Sequence, residues 1–157
     1  KGKYDSIASI EMIEAVGQNY LQSYFNTIKK NLSTNGNAGI QAITIHDSLF
    51  DRYKNKQDFI QKYIFPGGFL PSLGQIKKLT IKNNLNLEEV NSYSDDYAKT
   101  LFIWKKNFLS AWDKILPLGF DDYFKRMWEY YLSYCEAGFK AKNIDLIQFS
   151  MFNKQSS

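Results

Sequence analysis

The sequence predicts an α/β protein in which part of a parallel sheet carries an aromatic helical subdomain. Residues 4–45 follow a strand–helix–strand pattern, which is typical of a βαβ unit. Two long amphipathic helices follow, at 95–116 and 121–141. Of the 157 residues, 44% are hydrophobic, which is enough to build the core of one domain.

The βαβ unit is predicted from a strand at 4–10, a helix at 18–32 and a strand at 38–45. One face of the helix collects its apolar side chains, namely Leu21, Tyr24, Phe25, Ile28 and Leu32. Asn35 and Gly36 are the expected end of the helix. The second strand is mostly apolar, so it is expected to be buried on both faces, as parallel strands are.

Shorter elements are predicted in the middle and at the end of the chain. A helix over 56–65 is broken by Pro66-Gly67-Gly68, and Ser72 with Gln75 has the spacing of a capping box that opens a helix to Lys82. A strand or extended connection at 86–94 and a last strand at 144–152 complete the order. The polar tail 153–157 is expected to fray.

Each of the two long helices has a predicted apolar stripe. On the first, the stripe comprises Tyr97, Leu101, Trp104, Phe108, Ala111 and Ile115. On the second, it comprises Phe124, Trp128, Tyr131, Leu132, Cys135 and Phe139. Pro117-Leu118-Gly119 separates the two helices.

Composition narrows the functional classes. The net charge of +4 favours a solvated basic surface over binding to nucleic acid or anionic lipid. A single cysteine excludes an internal disulfide and fits a reducing compartment. No apolar run approaches the ~20 residues that span a bilayer. No glycine-rich loop with nucleotide-binding spacing follows a strand, and no metal site is predicted.

Two carboxylates are the strongest candidates for a site. Glu11 and Glu14 follow the first strand in an otherwise apolar loop, where an unpaired carboxylate is costly. Open α/β sheets bind ligands at the carboxyl ends of their strands. His46 is the only histidine, and it is interpreted as the start of a loop rather than as a general base.

Five segments follow one another in an order and spacing that match a known family. They are IEMIEAVG (10–17), QAITI (41–45), FIQKYIFPGGFLPS (59–72), DDYAKTLFIW (95–104) and FKRMWEYYLSYCEAGFKAKNIDLIQF (124–149). Together they resemble the C-terminal part of the bacterial cyclopropane-fatty-acyl-phospholipid synthases and the mycolic acid cyclopropane synthases.

The resemblance implies the C-terminal portion of a Rossmann-like methyltransferase sheet, with an inserted helical subdomain and an antiparallel last strand. The first strand resembles the fourth strand of that fold. Residues 1–157 are therefore expected to be the C-terminal part of one methyltransferase domain, with the cofactor-binding half absent. Alone, such a part is expected to be inactive.

The implied reaction uses S-adenosylmethionine to add a methylene group across a cis double bond of a phospholipid acyl chain. The base in this family is a bound bicarbonate, which a glutamate at the position of Glu14 and a tyrosine at the position of Tyr97 would hold. The alternatives are a carboxylate at a helix start for Glu14 and a core aromatic for Tyr97.

Other residues receive weaker assignments from the resemblance. Glu11 is placed beside the methionine end of the cofactor. Cys135 matches the family's active-site cysteine, but a packing or ligand-lining role is favoured over covalent catalysis because the surroundings are apolar. Thr44 aligns with a family histidine, so that either Thr44 or the Ile45 backbone would fill that position.

The implied partners are phospholipid acyl chains, reached by peripheral contact of a cytoplasmic protein with the inner membrane face. Nucleic acid is not expected, and a homodimer is left open. Aromatic side chains could line an acyl channel or simply form core: Tyr63, Phe65, Phe69, Trp128 and Tyr131. Lys77, Lys78 and Lys82 fit a solvated face better than a headgroup site. Alternative functions are a fatty-acid methyltransferase making branched products and a non-catalytic lipid- or partner-binding module.

Overall fold

A computed structural model describes residues 3–153, which form two compact units. The first, here called the sheet unit, contains the chain up to Ser92 and again from Asp145. The second, here called the helical unit, is Tyr93–Ile144.

The sheet unit is built on four strands in the spatial order β1-β2-β4-β3. The strands are β1 (Tyr4–Ile10), β2 (Leu32–Ile45), β3 (Leu85–Ser92) and β4 (Ile144–Asn153). β1 pairs with β2 in parallel, and β3 pairs with β4 in antiparallel fashion. Hydrogen bonds from Thr44 to Asp145 and from Gln148 to Gln41 show that β4 also runs opposite to β2. The predicted α/β class and antiparallel last strand are therefore confirmed.

Helices connect the strands and form the second unit. In the sheet unit they are α1 (Ile13–Val16), a 3-10 turn (Gln18–Tyr20), α2 (Leu21–Asn31), α3 (Asp47–Tyr53), α4 (Phe59–Tyr63) and α5 (Leu73–Lys82). In the helical unit they are α6 (Ser94–Ser110), α7 (Trp112–Ile115), a 3-10 turn (Leu116–Leu118) and α8 (Asp122–Lys140).

The core of the sheet unit lies on one face of the sheet. α2 buries Leu21, Tyr24, Phe25 and Ile28 as predicted, and α5 adds Ile76 to the same cluster. Strand β2 alternates, however: Ala38, Ile40 and Ala42 are buried, whereas Gly39 is exposed and Gln41 is partly exposed. The prediction that β2 is buried on both faces is wrong, because within the described residues α2 and α5 cover only one of them.

The boundary between α2 and β2 also differs from the prediction. The helix ends at Asn31, and Leu32 already pairs with Tyr4 in the sheet. Asn35 and Gly36 lie inside β2, where the pairing register shifts before Ser6 meets Asn37. Asn35 and Gly36 therefore form an irregularity of the strand and do not end the helix.

The observed helices differ in several places from those predicted from the sequence. α3 was not predicted, and the first helix of the helical unit is interrupted at Ala111, so that α7 is separate. The inward face of α6 consists of Ser94, Ala98 and Leu101, while Trp104 of the predicted stripe is 49% exposed. The predicted strand at 86–94 and helix at 73–82 are confirmed as β3 and α5.

Helices α6 and α8 are joined by polar contacts within the helical unit. The Ser94 hydroxyl donates a hydrogen bond to the Phe139 carbonyl (2.8 Å). The Glu136 carboxylate is only 7% exposed and accepts from Lys105 (3.1 Å) and Lys140 (2.6 Å). Since Lys105 lies on α6 and Glu136 on α8, this buried carboxylate ties the two helices together.

Across residues 3–153, none of the helices combines the length and apolar character needed to cross a membrane. Of the predicted frayed tail, Asn153 is the last residue of β4, and residues 154–157 lie outside the described part of the chain.

A pair of identical substitutions on α5 tests the position of the core. Ile76 is 0% exposed and Ile81 is 75% exposed on the same helix. Ile76→Ala is expected to lower the free energy of unfolding by about 2–5 kcal/mol, because it removes buried methyl groups and leaves a cavity. Ile81→Ala should change it by less than about 0.5 kcal/mol. Urea unfolding followed by circular dichroism measures both, and equal losses would contradict this core.

Candidate active site

Glu14 lies on the short helix α1, just beyond the carboxyl end of β1. Its Oε1 accepts a hydrogen bond of 2.5 Å from the backbone N–H of Ile43 on the neighbouring strand β2. Its Oε2 is buried and has no hydrogen-bond partner among the described residues. The carboxylate is therefore held at one oxygen, while the other can accept a proton donor that the chain itself does not supply.

The environment of Glu14 favours its protonated form. Burial raises the pKa of the carboxyl above its usual 4.5, and the nearby charge of Glu11 adds to the rise. The N–H groups of Ile43 and of Glu14 itself lower the pKa and offset part of this effect. A buried carboxyl with a raised pKa at the end of a parallel strand is a physical mark of a functional site.

The Pro66-Gly67-Gly68 turn holds the backbone of Glu14 from the other side. The Phe69 N–H donates to the Glu14 carbonyl (2.8 Å). Gly67 has a φ of +83°, which favours glycine. A Cβ at Gly68 would lie 3.0 Å from the Phe65 carbonyl oxygen, so a side chain there would crowd the turn. The turn thus fixes where Glu14 sits.

Two side chains fix the turn in place. The Gln61 amide donates to the Gly68 carbonyl (3.0 Å), and the Tyr53 hydroxyl accepts from the Leu70 N–H (3.0 Å). Gln61 is itself held by the capping box that it forms with Asp58 at the start of α4. Helices α3 and α4 therefore act as the support of the Glu14 loop.

Glu11 is the second carboxylate at this strand end. Its backbone N–H donates to the Gln41 carbonyl (2.9 Å), and its Oε1 accepts from the Gln41 side-chain amide (2.8 Å). Its φ is +49°, a left-handed conformation that costs an L residue roughly 1–2 kcal/mol. The structure thus keeps Glu11 exposed and oriented, in contrast to the partly buried Glu14.

A buried pair of hydroxyl groups lies near the same end of β1. The Tyr24 hydroxyl donates to Ser9 Oγ (2.8 Å), and both residues are buried. Burial raises the pKa of Tyr24 to about 12, and the charge of Glu14 contributes to the rise. The Tyr24 hydroxyl therefore remains protonated at neutral pH.

On β2, the Ile43 N–H donates to Glu14, a contact that the sequence did not suggest. The expectation that Thr44 or the Ile45 backbone fills the position of the family histidine stays a prediction. The Thr44 hydroxyl faces the Asp145 carbonyl of β4 (3.5 Å), and the Ile45 N–H donates to Pro71 (3.1 Å). His46 is exposed and caps α3 by accepting from the Ser48 N–H (3.3 Å), so it precedes a helix and not the predicted loop.

Tyr97 and Cys135 belong to the helical unit, whereas Glu11 and Glu14 belong to the sheet unit. The Tyr97 ring is partly buried, and its centroid lies 4.8 Å from that of Phe139 and 6.2 Å from that of Trp104. Cys135 is partly buried on α8, one helical turn before Phe139 and next to Glu136. Tyr97 and Cys135 thus lie on the two helices that the Glu136 carboxylate joins.

The aromatic residues suggested for an acyl channel differ in their exposure. Phe69 is buried in the core of the sheet unit, whereas Tyr63 and Phe65 are exposed beside the Pro66 turn. In the helical unit, Trp128 and Tyr131 are partly buried, with ring centroids 4.9 Å apart. The solvated-face interpretation of Lys77, Lys78 and Lys82 agrees with the exposure of all three side chains.

The sheet order, the antiparallel last strand and the carboxylates beyond the end of a parallel strand form the kind of edge at which open α/β sheets bind ligands. The family model for mycolic acid cyclopropane synthetase matches residues 1–149. The chain therefore belongs to the mycolic acid cyclopropane synthetase family, an enzymatic family, as the sequence motifs predicted.

Named relatives support the same membership. The chain is 40% identical over 154 residues to the tuberculostearic acid methyltransferase UfaA1 of Mycobacterium tuberculosis, which covers 98% of the chain and 36% of the relative. It is 36% identical over 146 residues to the cyclopropane-fatty-acyl-phospholipid synthase of Escherichia coli, covering 93% and 37%. The chain thus spans little more than a third of these relatives.

Solved structures agree with the fold. A crystal structure of the mycolic acid cyclopropane synthase CmaA1, complexed with SAH and CTAB, superposes with a TM-score of 0.85 at 25% identity. The match covers 96% of this chain and 56% of CmaA1. The cyclopropane synthase MmaA2 from Mycobacterium tuberculosis has the same TM-score at 23% identity, which supports the fold alone.

Sequence reasoning missed the groups that hold the two carboxylates. The N–H of Ile43, the N–H of Phe69 and the Gln41 side chain are the contacts that place Glu14 and Glu11. Two of them are backbone donors, which carry no side-chain signal. Gln41 was visible as a polar residue in an apolar strand, and that contrast was the available clue.

The raised pKa of Glu14 gives a pH-dependent stability. Because folding raises this pKa, the stabilisation relative to Glu14→Gln is complete below the unfolded value near 4.5 and is lost as the pH rises through the folded value. Glu14→Gln should therefore gain stability relative to the unchanged chain as the pH rises above 4.5. Urea unfolding between pH 4 and 7 measures the difference.

Glu136 provides a control of opposite sign. Its hydrogen bond to Lys140 is the main cause that holds its pKa below the usual 4.5, despite burial. The stabilisation from Glu136 is present above 4.5 and lost as the pH falls through the folded value. Glu136→Gln should thus lose stability at neutral pH and approach the unchanged chain in acid. If the stability of both variants, relative to the unchanged chain, changed in the same direction with pH, the opposite pKa shifts of Glu14 and Glu136 would be contradicted.

Proposed function

We propose that the protein carrying this chain is an S-adenosylmethionine-dependent methyltransferase that forms cyclopropane rings on phospholipid acyl chains. The observation that carries the proposal is the Glu14 carboxyl, one oxygen of which is bound to the Ile43 N–H while the other is buried without a partner among the described residues. Membership of the cyclopropane synthetase family supports the same chemistry.

When bound, S-adenosylmethionine supplies an electrophilic methyl group that a cis double bond can attack. The transferred methyl group must then lose a proton for the ring to close, so the site needs a base in dry surroundings. The partial burial that raises the pKa of Glu14 provides such surroundings beyond the end of β1.

The hydrogen-bonding groups at Glu14 fit a bicarbonate ion. The buried Oε2 can accept the hydroxyl of a hydrogen carbonate, while the Ile43 N–H keeps the carboxyl from turning away. Glu14 would hold the ion, and the ion would supply the base. Glu14 then orients a small base instead of acting as the base itself.

Cys135 is assigned a lining role near the acyl chain. It lies on the same helix as Phe139, which contacts the Tyr97 ring. A thiol on this partly buried, aromatic helix adds apolar surface without the need for covalent chemistry. The substrate would be phospholipid acyl chains, reached from the inner membrane face by a peripheral cytoplasmic protein.

A second candidate is a fatty-acid methyltransferase that makes a branched chain. It is favoured by the 40% identity to a relative named as a tuberculostearic acid methyltransferase. Both functions need the same methyl donor and a proton acceptor, because proton loss without ring closure leaves a methylene branch, so Glu14 would serve either. Proton NMR of the lipid product separates them, since cyclopropane protons resonate apart from the vinyl protons of a methylene branch.

Glu14→Gln in the full-length protein tests the proposal. The variant should reduce transfer of labelled methyl groups to lipid by at least ~100-fold, because an amide cannot accept the ion's hydroxyl and stay in register with Ile43. Affinity for S-adenosylhomocysteine should change by less than about threefold. Glu88→Gln, on an exposed part of β3, is the matched control and should retain activity. Normal methyl transfer by Glu14→Gln would refute the bicarbonate site.

A further inference from the structure

Helix α8 carries a second stripe of side chains opposite its buried face. Its buried residues are Leu132, Glu136 and Phe139. On the outward side, residues recur at intervals of four, three, four and three, and together they are here called the tyrosine stripe: Tyr123, Met127, Tyr130, Tyr134 and Ala137. This alternation of intervals is the spacing of a seam along which two helices pack. Helix α8 is therefore suited to packing on two faces, although its buried residues occupy only one.

The side chains of the tyrosine stripe lie at the surface of the helical unit. Its three tyrosines are between 41% and 61% exposed. The rings of Tyr130 and Tyr134 are stacked, with centroids 5.9 Å apart and planes at 26°, so they present a flat aromatic surface. Tyrosine, methionine and arginine are enriched at the centres of protein interfaces, and Arg126 lies beside the stripe. The composition of the stripe is thus that of an interface.

The tyrosine stripe is complementary in shape to a second copy of itself in the opposite direction. When a two-fold axis passes beside Tyr130, Tyr123 faces Ala137 of the second copy, and Met127 faces Tyr134. A large side chain then meets a small one at each end of the helix pair, which allows the side chains to interlock. The same surface is used by both copies, as two-fold symmetry requires.

The charges at the two ends of α8 fit the same arrangement. Asp122 at the start and Lys140 at the end lie on the same flank of the tyrosine stripe. In an antiparallel pair equal flanks face each other, so Asp122 of each copy approaches Lys140 of the other. Lys140 pairs with Glu136 in its own chain (2.6 Å), but its side chain is still 64% exposed. A parallel pair would instead bring like charges together at each end.

The balance of charge favours a second copy over a lipid surface as the partner. Anionic bilayers attract clusters of lysine and arginine. The exposed charged side chains of α8 are instead a mixed set of one acid and two bases, namely Asp122, Arg126 and Lys140. Such a set pairs with its own image better than with a surface of one sign.

We propose that the tyrosine stripe is a dimerisation surface, on which α8 of a second copy of the protein packs in antiparallel orientation about Tyr130. The inference goes beyond the methyltransferase reaction and does not depend on it. Helix α8 has 19 residues and is about 28 Å long. One helix pair of this length buries less than the roughly 800 Å² per partner of a standard interface, so the dissociation constant is expected in the micromolar range.

Analytical ultracentrifugation of the full-length protein tests the surface. The unchanged protein should show a reversible equilibrium between monomer and dimer as its concentration is varied. Tyr130→Asp places two like charges beside the two-fold axis and should weaken association by at least about 100-fold, since the change acts at the centre of the interface and in both copies. Tyr20→Asp alters an equally exposed tyrosine of the sheet unit and should leave the dissociation constant within about threefold.

Charge reversal tests the antiparallel orientation. Asp122→Lys brings like charges together at both ends of the pair, and Lys140→Asp does the same with the opposite sign. Each variant alone should associate about 3- to 10-fold more weakly at low salt. An equimolar mixture of the two variants again has opposite charges at both ends, so it should form a mixed dimer about as tightly as the unchanged protein.

Several results would overturn the inference while leaving the methyltransferase proposal intact. A full-length protein that stays monomeric at every concentration, or a Tyr130→Asp variant that remains dimeric, would do so. A monomeric unchanged protein that Tyr130→Asp strongly destabilises to heat would show that the rest of the chain covers the stripe. Absence of a mixed dimer from two folded charge variants would refute the antiparallel packing. If Lys140→Asp fails to fold because it repels Glu136, the results for Tyr130→Asp and Asp122→Lys decide.

Discussion

The hydrogen bond from the Ile43 N–H to the Glu14 carboxylate is the interaction on which the rest of the site depends. It is made because β1 and β2 run parallel and end at the same edge of the sheet. This arrangement brings the chain after β1 beside the last residues of β2. The bond uses one carboxylate oxygen and leaves the other buried without a partner among the described residues. Everything proposed for the chemistry follows from that asymmetry.

The two acids of the first loop have different physical roles because their surroundings differ. Glu14 is partly buried, and desolvation raises its pKa, so a neutral or proton-sharing partner suits it. Glu11 is exposed, and the Gln41 side-chain amide orients one of its carboxylate oxygens. Three residues of separation therefore place a partly buried carboxyl beside an exposed one.

The sequence predicted the parallel unit, the order of the strands along the chain and the family, because apolar periodicity and long motifs carry that information. The sequence-based prediction failed where backbone donors or tertiary contacts determine the local structure. Asn35-Gly36 is a sequence typical of a turn, but it lies in β2. The apolar residues of β2 predicted burial on both faces, although only its even-numbered residues between Ala38 and Ala42 face the core. Glu14 was found from its residue type and motif, whereas the Ile43 N–H that holds it was not, since a backbone group leaves no mark in a sequence.

The most direct test of the central claim is carbon-13 NMR of labelled bicarbonate added to the full-length protein. A bound signal, shifted from that of the free ion, should be seen with the unchanged protein and be lost in Glu14→Gln, while a matched Glu88→Gln sample retains it. The same bound signal in Glu14→Gln, or no bound signal in the unchanged protein, would contradict the claim that the unpartnered oxygen of Glu14 holds a small anionic base.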